Sequence, residues 1–198
     1  MSDVGRLRSA GKLIVISGPS GAGKGTLIAG VLRDCDRFAV AVSATTRARR
    51  PGEEHGREYL FLDDTEFQER VDRGDFVEHV SFAGGRYGTL YSEIERLLEN
   101  GKAVILELEI EGAFAIRRRI PDAVLVFIDP PDFATLERRL RDRATDSAGE
   151  IETRLEIARE QLRTREEFDH VIVNDDVERA TADLLATLKG ELEEGSHA

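Results

Sequence analysis

Two groups of residues in this 198-residue chain have the types and spacing to handle phosphate. The first is GPSGAGKGT, residues 18–26. Gly18, four residues, then Gly23 and Lys24 fit the P-loop spacing. Glycines there let the chain aim backbone N–H groups at phosphate oxygens, and a helix that starts at the lysine adds the favourable end of its dipole. Lys24 supplies a point charge for β- and γ-phosphates. Gly25 stands where Ser or Thr usually follows the lysine to hold Mg²⁺, and Thr26 comes next. Magnesium would rely on the nucleotide and on water, which it tends to retain.

The second group is SATTRARRPGEEHGREY, residues 43–59. Arg47, Arg49 and Arg50 crowd together, and no carboxylate stands between Asp36 and Glu53. Guanidinium forks match phosphate oxygens bidentately, so Arg47, Arg50, Tyr59 and Tyr87 are candidates to surround one monophosphate. Arg49, by strand-like alternation, is expected to face solvent. An acidic residue at the end of an apolar strand commonly completes a P-loop site. VILELEIEG, residues 104–112, offers Glu107 and Glu109, which strand alternation would put on one face. Residues 132–167 are helical in pattern and rich in arginine. Most of these arginines alternate with Glu as surface i,i+4 pairs. Arg139 and Arg143, one turn apart, and Arg154 on the next helix are the ones suited to close over a donor nucleotide.

The elements that must position these groups alternate between strand and helix, which implies a mainly parallel sheet. Strands are expected at 13–17, 38–42, 59–62, 76–82, 103–108, 123–128 and 170–174. Helices are expected at 24–34, 66–73 with Thr65 as N-cap and Gly74 as stop, 90–99, 111–119, 132–143, 150–167 and 176–194. LIVIS, AVILEL and AVLVFI are apolar on both faces, as in a parallel sheet covered by helices on both sides. Residues 43–92 and 132–167 break that pattern and read as insertions, a small mixed α/β piece and a helical lid. The core is then 1–42, 93–131 and 168–198.

Composition narrows the partners. A net charge of −11 argues against general nucleic-acid affinity but leaves room for a small anion at a local arginine cluster. No apolar run reaches 18 residues, so no membrane span is expected. The first residues lack a signal-peptide pattern, and Cys35 stands alone, which points to a reducing, cytoplasmic setting. The four histidines show no metal-ligand spacing with Cys35.

The blocks SATTRARRPGEEHGREYLF, FVEHVSFAGGRYGT, ELEIEGA and HVIVNDD, in this order after GPSGAGKGT, resemble guanylate kinases from about Gly11 to Leu188. The resemblance implies a P-loop core carrying a GMP-binding insertion (43–92) and a mobile lid (132–167). It implies that Ser43, Glu78 and Thr89 read guanine, while Arg47, Arg50, Tyr59 and Tyr87 hold the GMP phosphate. Gly18, Ser20, Gly21, Ala22, Gly23, Lys24, Gly25 and Thr26 would hold ATP, with Asn174 near its base. Arg139, Arg143 and Arg154 would contact the transferring phosphoryl group, with Lys24 and Arg47 also counted in the catalytic set. Glu107 and Glu109 stand where the family commonly has an aspartate. They are assigned to the GMP side, with a water-mediated role at Mg²⁺ open for Glu107 or Thr26 and no direct metal ligand.

The implied reaction is ATP + GMP → ADP + GDP, with dGMP as a further acceptor, Mg²⁺ as cofactor and no obligate protein partner. Guanine offers two adjacent donors that one carboxylate can accept, and adenine does not. A site built for such hydrogen bonds rejects an analogue lacking them by roughly 10⁴-fold. Three alternatives remain open: a non-catalytic guanylate-kinase-like binding module, a P-loop kinase of another phosphorylated metabolite such as a ribose bisphosphate, and an adenylate kinase. The intact Gly23, Lys24 and Thr26 speak against the first, and the TTR…RPGE block against the last.

Overall fold

The computed structural model describes residues 12–82, 84–142 and 148–194. Five strands form a parallel sheet in the order β2-β7-β1-β8-β9: β1 (Leu13–Ser17), β2 (Phe38–Val40), β7 (Ala103–Glu107), β8 (Val124–Asp129) and β9 (His170–Val173). A second, four-stranded sheet has the order β4-β3-β6-β5: β3 (Ala44–Thr45), β4 (Leu60–Phe61), β5 (Phe76–Phe82) and β6 (Gly85–Leu90). The helices are α1 (Lys24–Asp34), α2 (Asp64–Arg73), α3 (Tyr91–Glu99), α4 (Ile110–Arg119), α5 (Phe133–Arg141), α6 (Ala148–Arg163) and α7 (Val177–Glu194). Among the described residues no helix is long and apolar enough to cross a membrane.

The chain divides into two compact units. One is built from Ile14–Asp36, Glu107–Ile110 and the chain from Val124 onward. Within it, β8 pairs in parallel with β1 and with β9. Every residue of β1 and of β8 is buried, so LIVIS and VLVFI are apolar because both faces are covered. Gly30 of α1 lets α7 approach closely, since a Cβ there would lie 2.5 Å from the Thr181 methyl. Leu136 and Leu140 of α5 pack on Ile151, Leu155 and Ala158 of α6.

The other unit holds Arg37–Leu106 and Glu111–Ala123. Here β2 and β7 pair in parallel, and the second sheet is mixed, with β3 parallel to β4 and antiparallel to β6. Ala44, Phe67, Phe76 and Leu90 form its buried centre, with the Phe67 and Phe76 rings stacked at 4.6 Å. Leu60, Leu62 and Val71 pack around this centre, which joins α2 to the sheet.

Three local expectations are corrected. The N-cap of α2 is Asp63, not Thr65. Its carboxylate accepts from the Glu66 N–H while the Glu66 carboxylate accepts from the Asp63 N–H, a capping box that satisfies two donors at once. GRYGTL is a strand, β6, that the sequence pattern does not announce. Finally, β7 ends at Glu107 and α4 begins at Ile110, so Glu107 and Glu109 do not share a strand face. The chain is already turning from strand to helix at Glu109, and alternation does not carry through that turn.

Candidate active site

The phosphate loop lies between β1 and α1, both in one compact unit. Gly18 has φ 141°, and a Cβ there would lie 2.4 Å from the Ile128 carbonyl oxygen. Gly23 has φ 94° and leads directly into α1. A Cβ at Gly23 would meet the Asn174 side-chain nitrogen at 2.3 Å. Only glycine gives this turn both its left-handed backbone and its close packing. α1 starts with no side-chain cap and no acidic residue in its first turn. No side-chain acceptor thus competes with an anion for the positive dipole end of the helix. The Lys24 ammonium donates to the carbonyls of Gly18 (2.6 Å) and Pro19 (3.3 Å), which holds it over the loop.

Asn174 and Arg139 knit that loop to the strands and helices behind it. The Asn174 amide donates to the Ala22 carbonyl at 2.7 Å. The Asn174 Oδ1 is buried and finds no partner among the described residues. Arg139, on α5, donates to the Asn174 carbonyl at 3.1 Å and reaches the Ala22 carbonyl at 3.5 Å. Arg154 sits half-buried on α6. Arg143 lies outside the described residues.

Glu107 belongs with the phosphate loop: a Cβ at Gly25 would stand 3.8 Å from its Oε2. By surface area Glu107 is exposed, yet it lies deep among protein atoms. The second property governs its charge, because desolvation counts the bulk water displaced around a group and not only surface contact. Burial pushes its carboxyl above the usual range, the Lys24 ammonium opposes that, and Glu109 adds to it. Glu109 carries a buried Oε2 with no partner among the described residues. Thr26 is exposed at the start of α1.

In the other compact unit the arginine-rich segment forms a second concentration of polar groups. Arg47 donates to the Ala48 carbonyl (2.6 Å) and pairs with Glu53 (2.8 Å). Its guanidinium stands 5.3 Å from the Tyr59 ring centre and 5.8 Å from that of Phe61. Tyr59 and Tyr87 meet edge to face at 6.0 Å. Glu53 is the partner that the sequence reading missed. The signal was Pro51-Gly52: Gly52 has φ 87° and the Glu53 N–H donates to the Arg50 carbonyl, a turn that brings Glu53 back. The Glu53 carboxylate is held below its usual range by Arg47 and then by the Arg50 N–H. Arg49 is exposed, as expected, but not through alternation, since 46–50 is not a strand; Arg50 is exposed as well.

Glu78 and Thr89 are directly opposite on β5 and β6. The Thr89 hydroxyl donates to Glu78 Oε1 at 2.9 Å. Oε2 is buried and finds no partner among the described residues. Burial raises the Glu78 carboxyl above its usual range, while Thr89 and then Arg119 oppose the rise. Ser43 is half-buried at the start of β3, and its carbonyl accepts from the Leu60 N–H. A carboxylate buried with one oxygen satisfied and one left over can accept a pair of adjacent donors from a small planar ligand.

Residues 10–191 match the family model described as guanylate kinase. The chain is 46% identical over 179 residues to a guanylate kinase of Rubrobacter xylanophilus, covering 90% of this chain and 94% of that one. It is 44% identical over 174 residues to a guanylate kinase of Lactococcus lactis, covering 88% and 85%. Among solved structures it is similar to a guanylate kinase from Anaplasma phagocytophilum, with TM-score 0.76, 30% identity and coverage of 92% and 86%. Matched to that family model over nearly its whole length and at 46% identity to a relative covered to 94%, this chain belongs to the guanylate kinase family.

Proposed function

We propose that this protein transfers the γ-phosphoryl group of ATP to GMP, giving ADP and GDP. The observation that carries the acceptor assignment is Glu78: a buried carboxylate with one oxygen bound to Thr89 and the other without a partner among the described residues. Guanine N1–H and its 2-amino group are adjacent donors that would satisfy such a carboxylate, and Ser43 and Thr89 would complete the reading of the base. Adenine would leave Glu78 desolvated and unpaired. dGMP presents the same base edge and is expected as an acceptor too.

Arg47, Arg50, Tyr59 and Tyr87 would hold the GMP phosphate. The Arg47–Glu53 pair supports this role, since it keeps the guanidinium oriented before a dianion arrives. On the donor side, Gly18 and the run Ser20–Thr26 would cradle ATP, with Lys24 on the β- and γ-phosphates. Asn174 and Arg139 would stand beside the nucleotide, since both already bond the loop at Ala22. Arg154, and Arg143 on the strength of its place in the sequence, would neutralise the transferring group. Segment 43–92 would act as the acceptor insertion and 132–167 as the lid.

Magnesium fits the donor side. The Thr26 hydroxyl and the Glu107 carboxylate are hard oxygen donors of the kind it takes, and Glu107 stands close to Gly25 and Lys24. We therefore place Glu107 on the phosphate side of the reaction, with Glu109 near enough to act on its charge. When bound, the ion would neutralise charge on the ATP phosphates. Attack by a GMP phosphate oxygen, already ionised at pH 7, needs no general base, so rate comes from in-line positioning and charge neutralisation. The reaction belongs where ATP and GMP are, in the cytoplasm, and its substrates are small anions that a local arginine cluster can bind despite a net charge of −11.

The test is Glu78→Gln. Its kcat/KM for GMP is expected to fall roughly 10²-fold or more, because the amide offers one acceptor and a conflicting donor. Steady-state kinetics with GMP and AMP reads this out. An unchanged preference for GMP over AMP would remove Glu78 from base recognition.

A further inference from the structure

Where β5 meets β6, the register carries one extra residue. Phe76 pairs with Leu90 and Glu78 with Thr89, so Val77 has no cross-strand partner. Such a bulge twists a strand locally and re-aims the side chain that follows it. Here the side chain that follows is Glu78. Bulges also leave main-chain carbonyls outside the ladder, and these need donors. Arg119, the last residue of α4, supplies them: its Nη1 donates to the Phe76 carbonyl at 3.1 Å and to the Val77 carbonyl at 2.8 Å.

We propose that Arg119 is a positioning residue for base recognition: by bonding both bulge carbonyls from α4 it fixes the register that sets Glu78 opposite Thr89. This rests on the reading of Glu78 as the guanine acceptor. Arg119 does not touch the base, and its effect reaches the substrate through the strand. Its charge has a second, smaller effect. The groups acting on Glu78 are Thr89 on β6, through hydroxyl and backbone, and Arg119 on α4, whose positive charge favours the ionised carboxylate. His79, next along β5, points instead toward the rings of Phe67 and Phe76. Only the ionised carboxylate can accept both guanine donors, so geometry and charge act in the same direction.

The test uses the full chain with Arg119→Met, which keeps an apolar stem and removes the donors, and Arg119→Lys, which keeps charge and donors. For Arg119→Met the expected result is a roughly 10-fold rise in KM for GMP, the size of a typical coupling within one hydrogen-bonded network. KM for ATP should stay within twofold, on the order of measurement error. The acid limb of kcat/KM for GMP should move to higher pH, because loss of the positive charge raises the Glu78 carboxyl further. Arg119→Lys should restore the position of that limb and most of the KM. A purely structural role predicts a lower Tm with both KM values rising together, and that result would overturn the proposal. So would a wild-type KM for GMP with an unmoved acid limb in Arg119→Met. If Arg119→Met does not fold, Arg119→Lys decides: equal rises in both KM values reject the proposal, and a near-wild-type GMP profile supports it. Glu78→Gln separates this inference from the reading beneath it. If Glu78→Gln keeps its preference for GMP, the base-reading assignment fails. If Glu78→Gln loses that preference while Arg119→Met is silent, only the role of Arg119 fails.

Discussion

Glu78 is a residue whose function and stability pull in opposite directions. Its carboxyl is almost wholly buried and its ordinary range is shifted upward by desolvation. A raised folded-state value means that the native protein holds a proton that the unfolded chain has released. Its contribution to stability is therefore complete below the unfolded value of about 4.3 and lost as pH rises through the folded value. Glu78→Gln removes that dependence. The Tm of this variant, relative to wild type, should become more favourable as pH rises from about 4 to 7. Thermal melts at several pH values check this, and a Tm difference that is flat with pH would contradict it. GMP turnover should run the other way, falling as pH drops and Glu78 takes up its proton. A single side chain held ready for a ligand thus weakens the ligand-free protein near neutral pH, a common condition of binding groups.

At the scale of elements, the four-stranded sheet depends on Gly88. A Cβ at that position would lie 2.7 Å from the Phe76 ring and 2.9 Å from the Glu78 carbonyl oxygen. The carbonyl belongs to the paired strand and cannot move without opening the β5–β6 ladder. Gly88→Ala should cost about 1–3 kcal/mol, a fall in Tm of roughly 2–4 °C per kcal/mol, with a higher KM for GMP. Calorimetry with parallel kinetics measures both, and an unshifted Tm would show that the strands adjust freely. The same sheet marks how far the sequence could be read. LIVIS, AVILE and VLVFID were legible because a strand covered on both faces is apolar along its run, and here each turns polar only at its last residue, Ser17, Glu107 or Asp129. GRYGTL was not, because its two glycines and its arginine follow no alternation; it is a strand only because β3 and β5 flank it. Thr65 and Asp63 are both competent caps, and the reciprocal bond from Glu66 decides for Asp63. Of the site, the phosphate loop was legible from spacing alone. Glu53 and Arg119 were not: Glu53 returns to Arg47 through a local turn, and Arg119 meets carbonyls more than forty residues away.

For the whole molecule, each set of proposed binding residues lies within one compact unit. Ser43, Arg47, Arg50, Tyr59, Glu78, Tyr87 and Thr89 fall in one, and the phosphate loop, Glu107, Glu109, Arg139, Arg154 and Asn174 in the other. This division predicts separable ligand footprints. Hydrogen exchange with GMP alone should slow amides in Ala44–Thr45 and Phe76–Leu90, while a non-hydrolysable ATP analogue should slow those around Gly18–Thr26. GMP protection confined to the phosphate loop would reverse the assignment of the two sites. The most direct trial of the account is the acceptor panel itself. Purified protein with Mg-ATP is offered GMP, dGMP, AMP, UMP and CMP in a coupled assay of ADP release. The account predicts rapid turnover of GMP, turnover of dGMP, and AMP slower by roughly 10⁴-fold in kcat/KM. Comparable turnover of AMP, or none of GMP, would contradict it.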